Sequence, residues 1–481
     1  MFSRQMRLSD FLTDYDFEGI YPFHMPGHKR NAEMAARFGL YSGNPFSVDA
    51  TEVAGLDDLI NGNDPDGILA RSRKMAAEVF GAGQTFYSVC GSTTGILAAV
   101  HALAAPGSKV LTERESHRSV YNAIALRRLE PVYFTGPEQA AALLDAHPDA
   151  GLVILTRPHY DGSVYDPQDL IAAAHRLGIP VLVDEAHGAH FRFSPDFPED
   201  ALSLGADVVV QSLHKTLPAL TPCALIHIRG SLADPGKISS ALSIYHTSSP
   251  SYLLMASADG CIRMMAEHGA ELMERYTGLL RGFYDSVSGL GALRCRPFSR
   301  LDGDMGKINI FTGRFGLTGP ELAALLRERY KIETEMASPS RVLAMTSVFD
   351  TENGFRRLAS ALSALDAEFA RSGGVRDEAP CEQSDENVSG YGDASLPVPG
   401  DAVLPPWRAL EAPSRQLLLE DAAGLVSAEY LFAYPPGVPI IAPGEAVTSE
   451  AVKYILAQLR SGIEFHTGNG HFTGKISVVT S

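Results

Sequence analysis

The 481-residue chain is poor in cysteine and in basic residues, and it has no long apolar run. Its five cysteines (Cys90, Cys223, Cys261, Cys295 and Cys381) are scattered, with no CxxC pair. That argues against a disulfide framework or a structural zinc site, and the expected compartment is the reducing cytoplasm. Forty basic residues stand against 57 acidic ones, for a net charge of −17. Such a balance argues against nucleic acid and anionic membrane surfaces as general partners. No stretch reaches the ~18 uninterrupted apolar residues of a membrane span. The opening segment, MFSRQMRLSDFLTDYDFEGIYPFHMPGHKR, lacks the apolar core of a signal peptide. The GK[ST] that would complete a P-loop does not follow the Gly/Ser/Thr stretch near residue 90.

What is present is a globular composition, 45% hydrophobic and 20% charged, on a chain long enough for two or three domains. From about residue 84, short apolar runs alternate with helix-like segments. KVLTE (109–113), GLVILT (151–156), PVLVDEAH (180–187), ADVVVQS (206–212) and CALIHI (223–228) read as strands. GILAAVHALAA (95–105) and PQDLIAAAHRLG (167–178) read as helices between them. This alternation predicts a mainly parallel sheet covered on both faces, with ligands beyond the carboxyl ends of its strands. A long helical stretch around 250–290 follows. KINIFT, GPELAALLRERY and RVLAMTSV then suggest a smaller α/β unit. Residues 371–402 are rich in Gly, Ser, Pro and acid and read as a linker. The expected organisation is an N-terminal segment and large domain over 1–300, a small α/β domain over 301–370, that linker, and a C-terminal α+β domain over 403–481.

The residues able to do chemistry fall at predicted strand ends. In VVVQSLHKTLPALTP (208–222), Lys215 follows a buried strand. Burial lowers a lysine's pKa and suits it to forming an imine with an aldehyde. Its neighbours Ser212 and His214 can donate hydrogen bonds to a phosphate. In VDEAHGAH (183–190), Asp184 ends a strand and offers a carboxylate to a cation or a ring N–H, and Ala186 is small enough to lie against a flat ring. In YSVCGSTTGI (87–96), Ser92 and Thr93 lie where a strand turns into a helix, a place that binds phosphate but equally suits ordinary N-caps. His117, after KVLTE, could stack on a cofactor ring or simply occupy a surface loop. His187 and His190 have HxxH spacing, but no third metal ligand is evident nearby. Together, a phosphate cradle, an imine lysine, a carboxylate for a ring nitrogen and a stacking histidine fit one ligand, pyridoxal 5′-phosphate (PLP).

The motifs HMPGHKR (24–30), CGSTTGI (90–96), SHRS (116–119), VDEAHGAH, QSLHKTLPALTP (211–222) and HTSSPSY (246–252) resemble those of the fold-type I Orn/Lys/Arg decarboxylases. AEYLFAYPPGVPIIAPGE (428–445) is similar to the same family's C-terminal domain. The resemblance runs from the N-terminus to about residue 475, is broken mainly at the linker, and matches the family's short form, without a receiver-like domain. It implies a PLP-dependent transferase-like large domain. Lys215 would be the Schiff-base lysine and Asp184 the partner of the pyridine nitrogen. His117 would stack on the cofactor and His187 would lie near the substrate carboxylate. Ser92, Thr93, Ser212 and His214 would hold the phosphate. Thr247 would reach the phosphate of a neighbouring subunit, making the active unit a homodimer or a multiple of dimers. Glu335, in KIETEMASPSR, matches the position of the acidic residue that meets the substrate's distal cation. His28 either faces the site or fixes the N-terminal segment. Arg118 stands where the family commonly has Lys, Cys90 where Asn or Thr is frequent, and the linker is long.

The expected activity is α-decarboxylation of arginine, lysine or ornithine to the corresponding amine and CO2, with a role in polyamine metabolism. Two alternatives stay open: another fold-type I activity, such as an aminotransferase or a β-eliminating lyase, and a non-catalytic PLP-binding regulator. The retained Lys215 speaks against the regulator. A metal hydrolase built on HGAH is a more distant possibility.

Overall fold

The computed structural model describes residues 19–40, 67–312, 317–372, 397 and 399–480. Most of the predicted linker, and Cys381 with it, lies outside the described residues. The strands, in chain order, begin with β1 (Tyr21–Phe23), β2 (Gln84–Ser88), β3 (Lys109–Glu113) and β4 (Glu130–Phe134). They continue with β5 (Leu152–Thr156), β6 (Val181–Asp184), β7 (Val208–Ser212) and β8 (Ala224–Ile228). A seven-stranded sheet has the order β2-β8-β7-β6-β5-β3-β4. β3 to β7 pair in parallel, and β8 pairs antiparallel with both its neighbours. The central strands are largely apolar because helices cover both faces; every residue of β6, β7 and β8 is buried. Gly95 lets the helix Gly91–Leu103 lie close on this sheet, since a Cβ there would come within 2.8 Å of Ile226 and 2.9 Å of Val210.

The predicted strands at 109–113, 151–156, 206–212 and 223–228 coincide with observed ones to within two residues. PVLVDEAH does not remain extended to His187; β6 stops at Asp184 and the chain turns. The turn is fixed by hydrogen bonds of Asp184 Oδ1 with Ala186 N (3.1 Å) and of Glu185 O with Gly188 N (2.9 Å). This change of direction aims Asp184 and His187 into one cavity rather than to opposite faces of a strand.

Beside the large sheet, β9 (Arg294–Cys295), β10 (Lys307–Phe311), β12 (Met336–Ser338) and β13 (Arg341–Met345) form an antiparallel sheet in the order β12-β13-β10-β9. β11 (Ile332–Thr334) pairs in parallel with β1, which attaches the N-terminal segment to this second unit. One apolar cluster joins the 36-residue helix Tyr252–Val287 to Ile308, Ile310, Leu326 and Val342, so the second sheet is packed firmly on the first.

The C-terminal part has a four-stranded and a two-stranded sheet and the helix Ser449–Arg460, around its own core of Leu431, Ile441, Val452, Ile455 and Ile476. It docks on the large sheet through Arg114, which is 4% exposed. Arg114 donates to the carbonyls of Pro439 (2.7 Å) and Ile440 (3.1 Å) and to Glu445 Oε2 (2.9 Å). Among the described residues no helix is long and apolar enough to cross a membrane.

Candidate active site

Beyond the carboxyl ends of β3, β5, β6 and β7 lies a cavity of about 740 Å³, well within the range of cofactor-plus-substrate sites. Its walls come from every part of the chain. The large sheet supplies Thr93, His117, Asp184, His187 and Lys215, the N-terminal segment His24, the second sheet Glu335, and the C-terminal part Tyr434 to Pro436. A smaller chamber of about 140 Å³, walled partly by Glu115 and Asp161, adjoins it.

Lys215 sits in the one-turn helix Leu213–Thr216 that follows β7 directly. Burial lowers its pKa, against the opposing pull of the carboxylates of Asp184 and Glu335. Among the described residues its Nζ has one hydrogen-bond partner, His187 Nε2 at 3.0 Å. Asp184 is 6% exposed, and burial raises its pKa while Lys215 lowers it. No side-chain cation lies at ion-pair distance from it among the described residues, so its carboxylate is available to the cavity.

His117 is the N-cap of the helix Arg118–Arg127, its Nδ1 accepting from Ser119 N at 3.2 Å. With Nδ1 so engaged, and with burial and the charges of Lys215 and Arg118 pushing its pKa down to about 3, the ring is neutral. It packs against Gly437, where a Cβ would come within 3.2 Å of the imidazole. Arg118, whose N–H donates to Gly437 O (3.0 Å), lays its guanidinium over Phe432 and Tyr434 at 5.3 and 5.9 Å. An arginine at that position therefore holds the C-terminal segment over the cavity.

The phosphate-cradle residues divide. Ser92 and Thr93 line the cavity at the first turn of the helix Gly91–Leu103, whose N-terminus has no side-chain cap. Cys90 is the N-cap itself, and its thiol leaves the first N–H groups of that helix free. His214 also lines the cavity, but its Nδ1 is hydrogen-bonded to Cys223 O at 2.9 Å. Burial pushes its pKa down to about 4, so donation from the other nitrogen requires a second proton that an anion would have to stabilise. Ser212 does not line the cavity; its Oγ is fully buried without a hydrogen-bond partner. Thr247 is exposed, bonded to Ser249, and away from this chain's cavity. Ala186 is on the wall, 5% exposed.

Glu335 lies between β11 and β12 and reaches the cavity. It accepts from the Tyr160 hydroxyl and from Met25 N (2.9 Å). His28 is absent from the wall and instead accepts from Arg30 N at 3.0 Å, which fixes the N-terminal segment. The residues of that segment that reach the cavity are His24, Met25 and Pro26. Gly27 makes the approach possible, since a Cβ there would come within 2.7 Å of Leu217 O. His190 lies apart from His187, packed on Phe191 and Phe197 and 3.4 Å from Asp304.

Sequence reasoning missed Lys307, Tyr160 and His24. Lys307 is 1% exposed, on β10 of the second sheet, and its Nζ lies 2.8 Å from His187 Nδ1. A lysine inside an apolar strand, KINIF, was the signal available for it.

A parallel sheet with one reversed strand, an aspartate ending one strand and a lysine in the turn after the next place the large unit in fold-type I of the PLP-dependent enzymes. The family model of the Orn/Lys/Arg decarboxylase major domain matches residues 7–149 and 135–290, and that of the C-terminal domain matches 408–467. The chain belongs to the Orn/Lys/Arg decarboxylase family. It is 33% identical to the arginine decarboxylase of Halalkalibacterium halodurans over 92% of this chain and 91% of that one. It is 32% identical to the Bacillus subtilis arginine decarboxylase over the same shares. Its fold matches the crystal structure of a lysine decarboxylase from Francisella novicida with a TM-score of 0.73 at 19% identity, over 94% of this chain and 77% of that one.

Proposed function

We propose that this protein is a PLP-dependent α-decarboxylase of a basic amino acid, with arginine the first candidate, acting in the cytoplasm as a homodimer or a multiple of dimers. The observation that carries the reading is Lys215, Asp184 and Glu335 on the wall of one cavity. The residues present suit the cofactor. Uncapped N–H groups at Ser92 and Thr93 suit a phosphate. The unpaired carboxylate of Asp184 suits a pyridine N–H, and the neutral ring of His117 suits a flat face. Arginine comes first because the relatives at 33% and 32% identity are arginine decarboxylases.

When bound, PLP supplies an aldehyde for amines and a ring that takes up the electron pair left when CO2 departs. Lys215 would be the amine that holds the aldehyde. Asp184 would hold a proton on the ring nitrogen. Glu335, oriented by Tyr160 and Met25 N, binds the distal cation and so fixes which way the substrate lies. His187 stands beside Lys215, where the α-carboxylate would be directed. Tyr434 and Pro435, on the C-terminal segment, help to exclude water from that end of the cavity. Thr247 completes the phosphate site of a neighbouring subunit, and the amine product serves polyamine synthesis.

Purified protein with PLP is mixed separately with arginine, lysine and ornithine, and CO2 and amine are followed, with Lys215→Ala as control. Release from one substrate, lost in the control, supports the reading and identifies the substrate. A keto acid without CO2 would instead support an aminotransferase or lyase.

A further inference from the structure

His187 stands between two lysines. Its Nε2 is 3.0 Å from Lys215 Nζ, and its Nδ1 is 2.8 Å from Lys307 Nζ. The ring is 7% exposed, and burial, with a lysine charge beside it, holds it neutral, far below the usual histidine range. A neutral imidazole has one N–H and one bare nitrogen, whereas an ammonium can only donate. Both contacts are therefore hydrogen bonds only if the lysine facing the ring N–H is a free amine that accepts; the other, as ammonium or amine, donates to the bare nitrogen.

The surroundings decide which lysine carries the proton. Lys307 Nζ also faces the carbonyl oxygen of Tyr160 (3.3 Å) and Met345 Sδ (3.5 Å), and it lies 5.2 Å from the centre of the Tyr160 ring. Those are partners for a cation. Burial lowers its pKa to about 8, against the carboxylates of Asp304, Glu335 and Asp161, which favour its charge and leave it an ammonium at pH 7. Burial lowers the pKa of Lys215 as well, against the carboxylates of Asp184 and Glu335, but among the described residues its Nζ has no hydrogen-bond acceptor other than His187.

We infer that Lys307 is a positioning residue whose ammonium donates to His187 Nδ1 and so fixes the imidazole as the neutral Nε2–H tautomer, directed at Lys215 and the cavity. In this arrangement Lys215 is held as the free amine that can take up an aldehyde. His187 also presents an uncharged N–H to the corner where a substrate carboxylate would lie. An uncharged donor orients the carboxylate without the ion pairing that would stabilise it against losing CO2. The catalytic consequence rests on the decarboxylase reading; the tautomer does not.

Solid-state 15N NMR of the full-length, histidine-labelled protein at pH 7, with and without added PLP, tests this. A His187→Gln spectrum assigns the signal. The expected result is a bare Nδ1 and a protonated Nε2. A protonated Nδ1, or protons on both nitrogens, overturns the inference in the wild type alone, whatever any variant does. In Lys307→Met, checked for folding by its melting transition, the single tautomer is expected to give way to a mixture. Its kcat is expected to fall about 10- to 100-fold, the scale of losing a group that orients another, with KM little changed. A folded Lys307→Met that keeps the wild-type tautomer also overturns it. Absence of CO2 from every basic amino acid would sink the decarboxylase reading while leaving the tautomer measurable.

Discussion

Arg114 donates to Glu445 Oε2 at 2.9 Å across the junction between the large sheet and the C-terminal part, and both side chains are almost wholly sealed from solvent. Burial works against each charge, and each is sustained by the other and by hydrogen bonds to Pro439 O, Ile440 O and Ala442 N. The pair holds the segment after Pro436, whose preceding residues wall the cavity. Glu445→Ala leaves a buried guanidinium without its counter-charge. The expected cost is about 3–5 kcal/mol, read from the urea unfolding midpoint, with a loss of activity before global unfolding. An unfolding curve like that of the wild type would contradict this.

Lys215→Ala and Asp184→Asn should separate two functions. The first should abolish the imine absorbance with PLP and all CO2 release. The second should still bind PLP through Lys215 but lower kcat by about 10²–10³-fold, the scale of removing a group matched to developing charge. Absorbance titration beside a CO2 assay distinguishes them. A fully active Asp184→Asn would remove the pairing with the ring nitrogen.

Glu335→Gln should act mainly on substrate binding. A hydrogen bond to a charged group contributes about 1.5–3 kcal/mol, so KM for the preferred basic amino acid should rise roughly tenfold to a hundredfold. Tyr160→Phe, which removes the hydroxyl that orients Glu335, should give a smaller rise. If kcat fell and KM held, the carboxylate would belong to the chemical step instead.

Stability should depend on pH through His159. Burial disfavours its imidazolium, but Glu113, at 2.8 Å, with Glu115 and Asp161, outweighs that and raises its pKa to about 9. The unfolded chain has an ordinary histidine there, near 6.5. The folded state thus binds more protons between these values. The stabilisation is whole below pH 6.5 and fades as pH rises through 9. Denaturant unfolding across that range should show the decline, and His159→Gln should flatten it.

The residues legible beforehand are those set by local order. Asp184 and Lys215 stand at the ends of apolar runs whose length fixes where a strand can end, and the place of Ser92 in a first helical turn follows from the Gly and hydroxyl residues around it. The helix Gly319–Tyr330 was readable to the residue because GPELAALLRERY carries its own proline start, and Thr318 and Glu321 close a capping box. Of the large sheet's strands, β2 was read only as a strand of unstated bounds before the helix at 91, and β4 was not recognised. Within QTFYS and EPVYF the cues are weak, and the pairing partners that make them strands lie elsewhere in the chain.

The sequence by itself determined the α/β architecture, the lysine and aspartate of the site, and the family, because each rests on neighbours a few residues apart. Tertiary structure alone decided that Lys307 approaches His187 across 120 residues, that His24 rather than His28 faces the cavity, and that Arg118 clasps the C-terminal segment. Those contacts depend on how separate sheets pack. Packing is a property of whole faces in three dimensions, and local order along the chain does not encode it residue by residue.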